Sequence, residues 1–62
     1  MAKKTEVKKL RAALHDEKAA IKYYTKTAAK STTGTAKLLR HIAKDERHHR
    51  DEITKKIKFL NK

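Results

Sequence analysis

Cysteine and proline are both absent from this 62-residue chain, and glycine occurs once, at Gly34. Without cysteine there is no disulfide staple and no thiolate metal site, although the redox compartment stays open. Without proline, nothing on either side of Gly34 interrupts a helix. Long apolar runs are lacking as well. None approaches the roughly 18 residues of a membrane span, and the opening stretch MAKKTEVKKL has no apolar segment of the signal-peptide kind. The expectation is a cytoplasmic protein with no membrane contact. Acidic charge is also scarce, with 7 Asp and Glu against 18 Lys and Arg, a net charge of +11. Such a surplus favours an anionic neighbour, whether nucleic acid, lipid headgroups or an acidic protein, and equally serves solubility. The Lys-rich stretches carry no interleaved aromatics and few arginines, so they offer no means of reading bases.

What is present is a helical rhythm. Val7, Leu10, Leu14, Ile21, Tyr24 and Ala28 follow one another at steps of three, four or seven, the seam of a helix packed in a bundle. Ala12, Ala13, Ala19, Ala20 and Ala29 add propensity. The spacing predicts helix 1 over about 5–30 and a turn at 31–34, where Gly34 supplies a positive φ. Helix 2 then runs over about 35–60, with Leu39, Ile42, Ile53 and Leu60 in its stripe and Leu38, Ile57 and Phe59 flanking it. The fold class is all-α, one antiparallel helical hairpin over residues 1–62. A hairpin covers one face of each helix, so pairing of two copies into a four-helix bundle, a homodimer or a higher homo-oligomer, is the expected assembly.

Polar residues interrupt both stripes. Glu17 occupies the skipped position of helix 1, and Glu46 and His49, within DERHH, continue the seam of helix 2. Glu17 precedes the turn centre by about fifteen residues, and Glu46 and His49 straddle the same distance beyond it, so at about 1.5 Å per residue all three share one height. A two-fold axis through that layer gathers four glutamates and two histidines. In an empty core their carboxylates repel and their pKa values rise. Two divalent cations relieve this, each held by a Glu17 and a His49 with the Glu46 pair bridging; the O/N ligand set suits iron, manganese or zinc. The competing reading is a Lys-rich hairpin whose Glu46 and His49 pair with lysines at a wet interface.

DEKAAIKYY (16–24) and IAKDERHHRDEI (42–53) together resemble the paired helices of the rubrerythrin and ferritin-like superfamily. The resemblance runs from about Leu10 to Ile57 and implies a ferritin-like four-helix bundle with a di-iron carboxylate centre, two Fe ions per dimer. It makes Glu17 the ligand of the first helix, Glu46 the bridging carboxylate, His49 the imidazole ligand and Tyr24 the tyrosine beside the metals. The implied activity is ferroxidase or peroxidase-type oxidation of Fe(II) by O2 or H2O2. Superfamily members usually carry four helices in one chain, so a two-helix sequence implies a half-unit that dimerises. A rubredoxin-like iron site has no cysteines here to hold it, which implies a separate electron donor. The alternative function is a basic helical hairpin that binds nucleic acid or an acidic partner without catalysis.

Around these residues, a packed seam tyrosine accounts for Tyr24 as well as a redox or hydrogen-bonding role does. Tyr23 is expected at the flank, and His48, one step round the helix from His49, at the surface. Glu52 is expected to pair with Lys55 or Lys56. His15 and His41 are expected to face solvent, while Asp16 and Asp45 adjoin the candidate ligands and could orient them or attract cations.

Overall fold

A computed structural model of the chain describes residues 2–62. Two helices account for nearly all of it, α1 (Ala2–Ala29) and α2 (Thr33–Leu60), each of 28 residues and joined by a tight turn. The chain is therefore all-α, a two-helix hairpin, with no strand among the described residues.

The turn is made differently from the sequence expectation. Gly34 lies within the first turn of α2, and no described residue, glycine included, has a positive φ. Instead α1 tightens as it ends: the Lys30 and Ser31 amides donate to the carbonyls of Thr27 and Ala28 at 3.1 and 3.2 Å. The Ser31 hydroxyl donates to the same Thr27 carbonyl at 2.6 Å, giving it a second hydrogen bond at the end of the helix. Thr32 is extended (φ −64°, ψ 160°), which reverses the chain, and its carbonyl accepts from the Ala36 amide at 2.7 Å. An extended residue at the helix entry does the work assigned to a left-handed glycine.

The helices meet through small side chains. The buried apolar residues are Val7, Ala28, Ala36 and Ala43. Leu10, Leu14, Ile21 and Tyr24 of α1, and Leu39, Ile42, Ile53 and Leu60 of α2, are only half-buried, straddling the line of closest approach. Leu38, Tyr23 and Phe59 are largely exposed, at 60%, 63% and 61%. The larger stripe residues keep a face uncovered because one hairpin has only one partner helix for each of its members.

The shape is a rod of 48 × 14 × 11 Å with a radius of gyration of 14.4 Å; a compact domain of this length has about 11 Å. Its accessible surface of 5142 Å² exceeds the roughly 4,100 Å² expected of a compact 7.2 kDa chain. Lys3 and Lys62 lie at the same end of the rod, where Lys3 Nζ donates to the Lys62 carbonyl at 3.3 Å. No described helix is long and apolar enough to cross a membrane.

Candidate metal centre

Glu17 is contributed by α1, Glu46 and His49 by α2, and all three lie midway along the rod. Their positions follow from the register. With the turn at residues 30–32, residues whose numbers sum to about 63 face each other across an antiparallel pair, and 17 and 46 do so. His49 follows Glu46 by one helical turn and so stacks on the same side.

The three side chains converge. One ligand-capable atom from each lies within 4.8 Å of the others, and they are the one such cluster of three among the described residues. His49 Nδ1 is 3.9 Å from Glu17 Oε1 and 3.7 Å from Glu46 Oε1. These separations are too long for direct hydrogen bonds. They suit donors spread around one ion, because two ligands each about 2.1 Å from a metal stand up to about 4 Å apart. Each carboxylate side chain is 22% exposed and the imidazole 52%, so the acids form the floor of the site and the histidine its open edge.

Glu17 carries the electrostatic tension of the site. Its Oε2 is fully buried without a hydrogen-bond partner. The Glu46 carboxyl pushes its pKa up from the ordinary 4.5, chiefly because a proton on Glu17 can be shared with it, with burial and repulsion from Glu46 adding to the shift; His49 opposes it, and Asp16 adds slightly. A buried acceptor without a partner, beside a second carboxylate and an imidazole, is a donor set that fits a cation.

The other histidines contrast with this. His15 lies 3.7 Å from Asp16, His41 3.8 Å from Asp45 and His48 3.3 Å from Glu52, all on exposed side chains. His48 is thus at the surface, as expected. Glu52 is not paired with Lys55 or Lys56; the i,i+4 spacing brings His48 to it first. Asp16 and Asp45 turn outward to their histidines and do not hold the ligands in place. Neither Glu46 nor His49 pairs with a lysine of its own chain among the described residues. Tyr24 is half-buried and meets Tyr23 edge to face, with ring centroids 5.5 Å apart; no hydrogen bond joins it to the three residues among those described. Arg50 is half-buried seven residues after Ala43, a heptad step along the seam that marks it in the sequence.

A family model described as Rubrerythrin matches residues 8–62, covering Glu17, Glu46 and His49 and nearly all of both helices. No curated protein and no solved structure matches the chain.

Proposed function

The chain belongs to the rubrerythrin family, and from that premise we propose that two hairpins pair into a four-helix bundle whose centre holds two iron ions. The observation that carries the reading is the Glu17–Glu46–His49 cluster, drawn from both helices and containing a buried carboxylate oxygen without a partner. The uncovered face supports the pairing. The rod exposes about 1,000 Å² more than a compact chain of its mass, comparable to the roughly 800 Å² that each partner buries in a standard interface.

In this reading Glu17, Glu46 and His49 of both protomers would hold the two ions, Glu46 as the carboxylate common to the pair. Iron bound there supplies one-electron chemistry toward O2 or H2O2, and the activity is ferroxidase or peroxidase-type. Manganese and zinc suit the same donors. The protein's own part begins with the proton that the raised pKa of Glu17 favours. It leaves as a cation enters, so that binding is coupled to proton release. Glu46 supplies the second carboxylate of the floor and His49 the imidazole at its edge. Tyr24, seven residues after Glu17 on the same face, is assigned a supporting redox or hydrogen-bonding role.

The test is anaerobic iron loading, elemental analysis and mass by light scattering, followed by stopped-flow mixing with O2 and, separately, with H2O2. Two irons per dimer and Fe(II) oxidation faster than that of free iron, lost in Glu17→Ala, are expected. Tyr24→Phe should slow oxidation without lowering the iron content. A 7 kDa monomer, or oxidation no faster than free iron, overturns the assembly or the activity respectively.

A further inference from the structure

The metal cluster leaves another side of the helix pair unexplained, and that side is rich in Lys and Arg. Lys4, Lys8, Arg11, Lys18, Lys22 and Lys26 follow one another at steps of three, four or seven, so they share one face of α1, and all are exposed. From Lys4 to Lys26 the row is about 33 Å long at the helical rise. Lys18 is turned about 100° from Glu17, so the row and the candidate ligands look in different directions.

Two grooves lie along this row. The larger, of about 550 Å³, is walled by Lys18, Lys22 and Lys26 of α1 and by Arg47 and Arg50 of α2, with Ile21 and Thr25 between. Arg47 reaches across it to donate to Thr25 Oγ1 at 3.5 Å. The smaller, of about 470 Å³, includes Lys4, Lys8 and Arg11 at the end where Lys3 and Lys62 meet. Neither lining contains an Asp or Glu. Lys18, Lys22, Lys26 and Arg47 enter no ion pair among the described residues; Arg50 alone meets a carboxylate, Asp51, at 3.2 Å. Glu6, Asp16 and Glu17, the carboxylates of α1, are each turned more than about 100° from the centre of this row, although Asp16 contacts His15, which sits in the row between Arg11 and Lys18. Cations this close repel one another, and a polyanion laid along them removes that repulsion.

We propose that this face docks the phosphate backbone of double-stranded nucleic acid, independently of sequence. A straight row of about 33 Å matches one turn of duplex, about 34 Å, and the duplex offers a phosphate charge for every 1.7 Å or so of its axis. No aromatic lines either groove, so an unpaired base has nothing to stack on, and a single strand gains less here than a duplex. The contacts are to phosphate, which positions the rod without reading bases. The assignment is independent of the iron chemistry and holds for metal-free protein.

The experiment is fluorescence anisotropy with a labelled random-sequence duplex, titrated across a salt series. The six row cations with Arg47 and Arg50, all on phosphates, give a slope of log affinity against log salt of about −7. The double variant Lys22→Glu/Lys26→Glu should make the slope shallower by about 2 and weaken binding at least about tenfold at moderate salt. Lys22→Gln/Lys26→Gln should flatten the slope similarly, without new negative charge. The control Lys9→Glu/Lys56→Glu has the same net charge but lies outside the row and both grooves, and should bind within about twofold of the unsubstituted protein. Equal losses in both Glu variants would mean that net charge alone is sensed and would overturn the assignment. Salt-insensitive binding would overturn it too. Displacement of the duplex by polyglutamate at equal charge concentration would give the face to an acidic polypeptide instead.

Discussion

His48 and His49 are adjacent in sequence, and each lies within 4 Å of a carboxylate, yet the structure gives them opposite surroundings. His48 meets Glu52 one turn along its own helix and is 77% exposed. His49 meets Glu46 on its own helix and Glu17 on the other, against carboxylates that are largely covered. The local spacing is common to both; what differs is the second helix. An i,i+3 or i,i+4 pair arises whenever charges are dense on a helix, as the exposed His41–Asp45 pair also illustrates. Convergence across a hairpin requires the register, the turn and the seam to agree.

The comparison can be broken most severely at the carboxylates. Glu46→Ala is expected to lower the metal content from two ions per dimer to none retained through gel filtration, whereas Glu52→Ala keeps two; elemental analysis reads both. Equal content in the two variants would place the metal on the exposed pairs. The histidines come next. His49→Ala should weaken metal binding by more than about 100-fold, beyond the 10–100-fold typical of groups that merely support a ligand, and His48→Ala by less than about twofold. Competition with a chromophoric chelator measures this.

Glu17 sharpens the contrast in the metal-free protein. Its raised pKa means that the folded state favours the protonated acid. Below the ordinary value of 4.5 the acid is protonated in both states and costs nothing; as pH rises through the folded pKa, stability is lost. Glu17→Gln should therefore stabilise the apo protein at neutral pH by roughly 1 kcal/mol, the lower end of the cost of an unsatisfied buried polar group. The gain should shrink toward zero as pH falls below 4.5. Paired urea melts across pH test it, and a Gln variant less stable at pH 7 would contradict the strained-carboxylate account. Smallest of all, removing the His48–Glu52 pair should change stability by less than about 0.5 kcal/mol, within the range of exposed ion pairs.

Much of this was legible in the sequence for a physical reason. The heptad-like recurrence of Val7, Leu10, Leu14, Ile21 and Tyr24 gives the helix and its face, and an antiparallel rise of equal pitch on both sides of a turn gives the common height of Glu17 and Glu46. The sealed part of the seam was harder to see. Ala36 and Ala43 are buried where the helices approach most closely, while Leu39 and Ile42 stay half-open, because small side chains fit at the contact line and hydrophobicity alone does not mark it. Gly34 misled for a related reason. A lone glycine suggests a left-handed turn, but a helix's first turn tolerates glycine, and the Ser31 hydroxyl and extended Thr32 had already reversed the chain. A Cβ at Gly34 would meet nothing within 4 Å. Gly34→Ala should accordingly stabilise the protein by about 0.4–1 kcal/mol, as expected where the backbone is already helical, and thermal unfolding reads the change.

The contact between Lys3 and the Lys62 carbonyl places these two residues at one tip of a 48 Å rod. This turns linker length into a ruler for symmetry when two copies are genetically fused in tandem. If the two-fold axis runs along the rod, the tail of one copy finishes beside the head of the next, and a few residues join them. If the axis crosses the rod at right angles, the junction must travel its full length, at least about 14 residues even when fully extended. A series of fused hairpins with lengthening connectors would show an abrupt onset of single-chain bundle formation in the crossed case and none in the parallel one.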